Sequence, residues 1–170
     1  MARVSGRARI GTQIAAVFLA LLALGLAPPP AGAARAAPPA LVGVAATGEH
    51  ALSLDELRAM PWTTVTTRNM FNDDMVAYRG PLMRDVLARL GLGAADSVFL
   101  LAANDYSVEI PTKDFRDWDV IVAMEADGAP LSPRVTGPLW LIYPQSEHRE
   151  LDGFVYAQRL IWQLVRIEAR

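Results

Sequence analysis

The 170-residue chain contains no cysteine, and this absence excludes several kinds of chemistry. Disulfides cannot stabilise the fold, so the hydrophobic core alone must do so. Without a thiolate the chain has no sulfur nucleophile and no soft anionic ligand for a metal ion. Its two histidines, His50 and His148, lie far apart in the sequence and show no spacing typical of metal ligands. We therefore predict no metal site.

The common catalytic motifs are absent as well. No serine lies in a G-x-S-x-G sequence, and no glycine-rich phosphate loop or G-x-G-x-x-G motif follows a strand pattern. The paired carboxylates, Asp73 with Asp74 and Asp117 with Asp119, lie in turn-like polar stretches, where solvated loop acids account for them. The methionines never form an M-x-M cluster, which favours core filling over copper(I) binding. No catalytic residue can be assigned from these patterns.

The N-terminal segment has the pattern of a secretory signal peptide. Three arginines precede an uncharged apolar run, 14–26, and small residues with two A-x-A cleavage options follow it. We divide the chain into a signal peptide, 1–36, a Pro/Ala spacer, 37–40, and a domain, 41–170. This pattern predicts a periplasmic or secreted protein. The alternative is an uncleaved N-terminal membrane anchor, because the apolar run approaches the length that spans a bilayer.

The mature domain is acidic. Removal of 1–36 takes away 4 of the 16 basic residues and none of the 18 acidic ones, which leaves 12 basic residues and a net charge of −6. Lysine and arginine form no cluster, so the domain is a poor partner for a phosphate backbone. We expect no nucleic-acid binding.

Short strand patterns dominate the mature chain. Alternating or continuous apolar residues predict strands over 41–45, 62–67, 75–78, 98–103, 106–110, 120–124, 138–143 and 160–168. The segments 72–74 and 127–128 are predicted turns between strands, and 145–154 is a predicted charged loop. The sequence thus predicts an α+β fold that is mostly β, with a few short helices.

Two helices have clear sequence signals. Ser53 and Glu56 form a capping-box pattern, which predicts a short helix that ends near Met60. A second helix is predicted to open at Pro81, with apolar residues recurring every three or four positions, and to stop at Gly91.

The triplet Asn104-Asp105-Tyr106 follows the apolar run 98–103 and admits two interpretations. Asn and Asp both suit a tight turn, which favours a simple hairpin. A tyrosine at the mouth of a buried strand can also form the polar rim of a pocket. From the local pattern alone, both interpretations stay open.

Several segments together resemble a known family. The segment 78–91, Y-R-G-P-L-M-R-D-V-L-A-R-L-G, is similar to the helix-bearing segment of the sulfite-oxidase-type molybdopterin-binding domain. The segments 103–111, 126–131 and 137–144 follow in the order that this family shows. The resemblance covers roughly 41–168 and is closest to the small exported members. It implies a mixed-sheet, sulfite-oxidase molybdopterin-binding-like fold.

The resemblance also implies a missing metal ligand. Catalytic members of the family ligate molybdenum through a cysteine thiolate in the strand that precedes the helix. The matching position here is Thr67, whose hydroxyl is a hard, protonated group. We therefore expect no cofactor and a domain that has lost molybdenum ligation. The alternative is a molybdopterin-dependent oxidoreductase that keeps its cofactor through non-thiolate contacts.

The resemblance directs attention to one pocket. Seven residues are candidates for binding a cofactor or its replacement: Thr67, Arg68, Asn69, Asn104, Asp105, Tyr106 and Tyr143. Hydroxyls, amides and one guanidinium suit a small polar or anionic ligand. The expected role is a small-ligand- or partner-binding module, with a membrane-bound sensor or redox system as the partner.

Overall fold

The computed structural model describes residues 39–170, so the predicted signal peptide and the first half of the predicted spacer lie outside the described residues. The strands of this part are β1 Leu41–Ala45, β2 Gly48–Leu52, β3 Trp62–Asn69, β4 Asn72–Pro81, β5 Ser97–Ala102, β6 Ser107–Pro111, β7 Ile121–Ala123, β8 Glu125–Ala126, β9 Ala129–Pro130, β10 Trp140–Ile142 and β11 Leu164–Ala169. The α-helices are α1 Leu54–Arg58, α2 Met83–Arg89, α3 Lys113–Asp117 and α4 Phe154–Arg159, and a 3-10 turn spans Arg149–Leu151. No helix within 39–170 is long and apolar enough to cross a membrane.

The strands form three sheets. Five of them pair in the order β2-β1-β11-β5-β6, with β1 parallel to β11 and the other neighbours antiparallel. A second sheet has the order β3-β4-β8-β9, and β7 pairs with β10. Short strands in mixed sheets with a few short helices confirm the predicted α+β class.

Two apolar clusters stabilise these sheets. The larger cluster contains buried residues of the five-stranded sheet and of α2, such as Leu100, Ile167 and Val86. The smaller cluster contains Tyr78 and Trp140 and lies between the β3–β4 hairpin and the β7–β10 pair. Because the chain has no disulfide, burial in these clusters is the main stabilising contribution.

The predicted helix signals are confirmed at two points. The Ser53 hydroxyl accepts a hydrogen bond from the Glu56 amide at 3.2 Å, and the Glu56 carboxylate accepts from the Ser53 amide at 2.8 Å. These backbone and side-chain hydrogen bonds from Ser53 lower the pKa of Glu56. Gly91 follows α2 with φ +74°, a left-handed conformation that favours glycine.

Three local predictions are wrong. The segment 72–74 belongs to β4, and the turn lies at Met70 and Phe71, because Asn69 stabilises it there. Pro81 ends β4 and does not open α2. The continuous apolar run 98–103 predicted a strand buried on both faces, but buried and half-buried residues alternate in β5, since only one face of that strand lies on the core.

Strand β2 and helix α4 are among the elements that the sequence pattern did not predict. The exposed edge strand β2 lacks an apolar alternation, because four of its five residues face solvent. Helix α4 begins at the last residue of the predicted loop 145–154, and its other residues lie between that loop and the predicted strand 160–168. It has no side-chain cap and buries none of its residues, so the apolar period that marks other helices is missing.

Gly80 is required by the close approach of β4 to β7. A Cβ atom added at this position would lie 2.0 Å from the carbonyl oxygen of Val122, a backbone atom that cannot rotate away. Gly153 offers a matched control, because its φ of −163° is extended backbone and no atom lies within 4 Å of a Cβ added there.

We predict that Gly80→Ala lowers the free energy of unfolding by at least ~2 kcal/mol, because the new methyl group forces the two strands apart. Gly153→Ala should change it by less than ~0.5 kcal/mol. Urea denaturation of both variants measures the difference. Equal stability of the two would contradict the close packing of β4 against β7.

Candidate functional site

The end of β3 is shaped by an irregular pairing with β4. Thr67 pairs with Val76, whereas Asn69 pairs with Asn72, so residues 73–75 of β4 lie opposite Arg68 alone. Such irregularities bend a strand and release backbone groups from the ladder. The Arg68 amide is one of these groups, and it donates to the Ser146 hydroxyl at 3.1 Å.

The Thr67 hydroxyl is buried and its hydrogen-bonding capacity is used inside the protein. It lies 2.8 Å from the carbonyl oxygen of Arg68, to which it donates, and it accepts from the Ser146 amide at 3.0 Å. The two hydroxyl oxygens lie 3.1 Å apart, and the Ser146 hydroxyl lies 3.5 Å from the sulfur of Met75. A hydroxyl has one proton to donate, so this arrangement leaves none for another acceptor.

Asn69 connects this end of β3 to the turn that follows it. Its side-chain amide donates to the Tyr78 hydroxyl at 3.3 Å, and its carbonyl oxygen accepts from the Phe71 amide at 2.9 Å. Burial raises the pKa of Tyr78, so its phenol stays protonated near neutral pH. Asn69 thus fixes the turn that presents Met70 and Phe71 to solvent.

The triplet 104–106 forms the turn of the β5–β6 hairpin. Asp105 has φ +65°, and the Asn104 side-chain oxygen accepts from the Tyr106 amide at 3.2 Å, as in an Asx-turn. The Tyr106 side chain leaves the turn, and its hydroxyl donates to the Gln158 carbonyl oxygen at 2.8 Å. The segment is therefore a hairpin turn whose tyrosine reaches another element.

A cleft of about 290 Å³ opens between the two turns and the segment that starts with α4. We call it the aromatic cleft, and its lining residues are Met70, Phe71, Asn104, Tyr106, Ala157, Gln158, Leu160, Ile161 and Trp162. The rings of Phe71 and Trp162 meet edge to face with centroids 4.7 Å apart. None of the lining residues carries a formal charge, so the cleft suits apolar contact with amide groups at its rim.

Tyr143 lies in a separate buried cluster. Its hydroxyl donates to the Asp114 carboxylate at 2.9 Å, and the Arg159 guanidinium bonds the same oxygen. Burial raises the pKa of Tyr143 well above its usual range, and the Asp114 charge adds to this effect. The cluster ties α4 to α3, because Arg159 and Asp114 belong to these helices.

Comparison with known proteins gives the family. The model of the oxidoreductase molybdopterin binding domain matches residues 41–148, which is more than half of the chain. The chain belongs to this family. No curated protein sequence matches it.

A solved structure with a similar fold is the sulfane dehydrogenase SoxCD from Paracoccus pantotrophus. The TM-score is 0.57 at 15% sequence identity, over 76% of this chain and 37% of that chain. At this identity the likeness shows the fold alone. This domain of the molybdopterin-binding family spans little more than a third of the SoxCD chain.

The seven candidate residues predicted from the sequence lie in three separate locations. Asn104 and Tyr106 line the aromatic cleft, and Asp105 lies exposed in the turn between them. Thr67, Arg68 and Asn69 adjoin one another at the end of β3, where Thr67 and Asn69 are buried, and are not among the cleft-lining residues. Tyr143 belongs to the cluster with Asp114. The candidates therefore do not converge on one pocket.

Three residues that matter here were missed in the sequence. Phe71 and Trp162 shape the cleft, and Ser146 closes the end of β3. An aromatic residue directly before a predicted turn, as at Phe71, was an available signal. Ser146 lies in a charged loop, and no local pattern links it to Thr67.

The side chains around Thr67 do not form a cluster of the usual metal-binding residues. Within residues 39–170, no three side chains of His, Cys, Asp or Glu come close enough to hold a metal ion. The atoms around Thr67 are hydroxyl oxygens, backbone groups and the Met75 thioether.

Removal of the Thr67 hydroxyl should destabilise the end of β3. We predict that Thr67→Val lowers the free energy of unfolding by about 1–3 kcal/mol, because the Ser146 amide loses its acceptor in a buried place. Thr66→Val is the matched control, since Thr66 is exposed on the same strand. Urea denaturation measures both. Equal stability of the two variants would show that the Thr67 hydroxyl makes no net contribution.

Tyr143 should make the protein sensitive to alkaline pH. The folded state holds the phenol neutral because burial raises its pKa, whereas the unfolded chain ionises it near pH 10. The contribution of the neutral phenol to the free energy of unfolding is therefore complete below about pH 10 and is lost as pH rises further. We predict that, between about pH 9.5 and 11, the free energy of unfolding of Tyr143→Phe falls less steeply with pH than that of the wild type. Urea denaturation across this range measures the slope. Identical slopes for the variant and the wild type would contradict the prediction.

Proposed function

We propose that this chain is an exported member of its family that no longer ligates molybdenum and acts as a small-ligand- or partner-binding module. In this proposal it serves a periplasmic sensor or redox system. The N-terminal signal-peptide pattern supports export. The fold and the family are those of a molybdopterin-binding domain.

The observation that carries the proposal is the state of Thr67. The family resemblance puts the metal-ligating cysteine at this position, and here a buried hydroxyl bonds Ser146 and the Arg68 carbonyl. No cysteine exists elsewhere in the chain to replace it. A ligand approaching Thr67 would have to break these hydrogen bonds in a buried place, at a cost of about 1–3 kcal/mol for each polar group left unpaired.

The chemistry of the donors leads to the same conclusion. Molybdenum in this family is held by a thiolate, a soft and anionic ligand. A threonine hydroxyl stays protonated at neutral pH and is a hard donor, and the thioether of Met75 is uncharged. These residues do not fit the ligation that the family implies.

The binding role is supported by the aromatic cleft. It combines aromatic and aliphatic side chains with the amides of Asn104 and Gln158. Because its lining has no charged group, it favours an apolar contact over the anionic ligand that Arg68 suggested. Exposed apolar surface of this kind is typical of binding sites in soluble domains.

The test is the metal and pterin content of the full chain purified from its native host. We expect molybdenum far below one atom per chain and no pterin in the mass spectrum of the denatured protein. A cysteine-containing member of the family, purified from the same cells, controls for cofactor supply. Stoichiometric molybdenum with pterin would contradict the proposal and establish the alternative, an oxidoreductase that keeps its cofactor through non-thiolate contacts.

A further inference from the structure

We propose that the aromatic cleft and the adjoining face of α4 form a docking surface for a partner protein, and that the partner segment carries apolar side chains flanked by lysine or arginine. This inference rests on the proposed function, because it names the chemistry of the partner that a binding module would recognise. It also gives a role to side chains that the fold does not bury.

Large apolar side chains are exposed around the cleft. Met70 is 61% exposed, Phe71 46% and Tyr106 43%, and all three line it. Leaving such side chains in water costs free energy, so a cluster of them indicates a surface that becomes covered. Methionine adds adaptability, since its flexible thioether packs against partners of different shape.

The face of α4 extends this surface. Phe154 is 73% exposed and precedes Ala157 and Gln158 by three and four residues, so the three side chains share one face of the helix. Ala157 and Gln158 already line the cleft. The cleft therefore continues one helical turn along α4 to Phe154, and a surface that follows a helix in this way suits a segment of a protein.

The walls of the cleft are held in place before any partner arrives. The Tyr106 hydroxyl joins the β5–β6 turn to the backbone of α4 at Gln158. Arg159, the next residue, is anchored through Asp114 and stacks over the ring of Tyr156 at 5.0 Å. Prior ordering of these groups lowers the entropy cost of binding.

The charges beside the cleft define the partner. Five exposed carboxylates lie within three residues, in the sequence, of Phe71, Tyr106 or Phe154, and they are Asp73, Asp74, Asp105, Glu109 and Asp152. Arg159 is paired with Asp114, and Arg68 is the one basic residue within three residues, in the sequence, of Met70, Phe71, Tyr106 or Phe154. A carboxylate rim attracts lysine and arginine and repels an anionic lipid surface. A second copy of this acidic domain would meet the same repulsion, so we infer a basic partner.

The test uses the full-length protein and a defined probe, a synthetic amphipathic helix of about 18 residues with leucine on one face and lysine on the other. A second peptide has the same leucine face and glutamate in place of lysine. Isothermal titration at low and at physiological salt gives the affinities. We expect saturable binding of the lysine peptide that weakens with salt, and much weaker binding of the glutamate peptide.

Two variants locate the binding surface. Met70→Ser with Phe154→Ser removes exposed side chains only, so the fold is retained, and it should weaken binding of the lysine peptide about tenfold or more. Val135→Ser is the matched control, because Val135 is 67% exposed and does not line the cleft. Its affinity should equal that of the wild type.

Three results would overturn the inference: no saturable binding of the lysine peptide, equal affinity for both peptides, or equal loss in Val135→Ser and the double variant. Binding to phosphatidylglycerol vesicles that is lost in the double variant would assign the surface to a membrane and overturn it too. The molybdenum content of the same preparations separates the two proposals. If the protein is free of molybdenum and does not bind the lysine peptide, only the docking surface is contradicted. Stoichiometric molybdenum contradicts the proposed function.

Discussion

The hydrogen bonds between Thr67 and Ser146 join the end of β3 to the loop that follows β10, two segments that are far apart in the sequence. The Ser146 hydroxyl also accepts from the Arg68 amide, which the irregular β3–β4 pairing leaves free. The Thr67 hydroxyl is thereby held in a buried place where the family resemblance puts a metal-binding thiolate. Buried polar groups need hydrogen-bond partners, so this pair of hydroxyls fixes the local geometry. Because both hydroxyls are used within the protein, neither is left as a ligand for a metal ion. The turn at Phe71, and with it the aromatic cleft, is built directly on this closed end.

The second constraint acts through α4. This helix has no fully buried residue, but the half-buried Tyr156 packs against the core. Polar contacts complete its anchoring, through Arg159 with Asp114 and through Tyr106 with the Gln158 carbonyl. Phe154 and Val155 remain in solvent, and Phe154 lies one turn before residues that line a cleft without charge. A helix anchored on one side and left with exposed apolar side chains on the other is consistent with the proposed binding role.

The sequence predicted those structural features that depend on residues close together in the chain. The capping box at Ser53, the left-handed Gly91 and the turn at Asp105 follow from local chemistry, and the order of motifs identified the family. The pairing of Thr67 with Ser146 could not be predicted, because nothing local marks a serine in a charged loop as the partner of a strand residue. Helix α4 was missed because it lacks an apolar period. Pro81 was assigned to a helix start although it ends β4, next to the glycine that lets this strand approach Val122.

The central claim is that the end of β3 is closed by hydrogen bonds within the protein. Amide hydrogen exchange measured residue by residue on the purified protein tests it most directly. The amide protons of Arg68 and Ser146 should exchange far more slowly than that of the exposed residue Glu150, because each donates to a hydroxyl of the opposite segment. Exchange of both protons as fast as at Glu150 would contradict the closure and the account built on it.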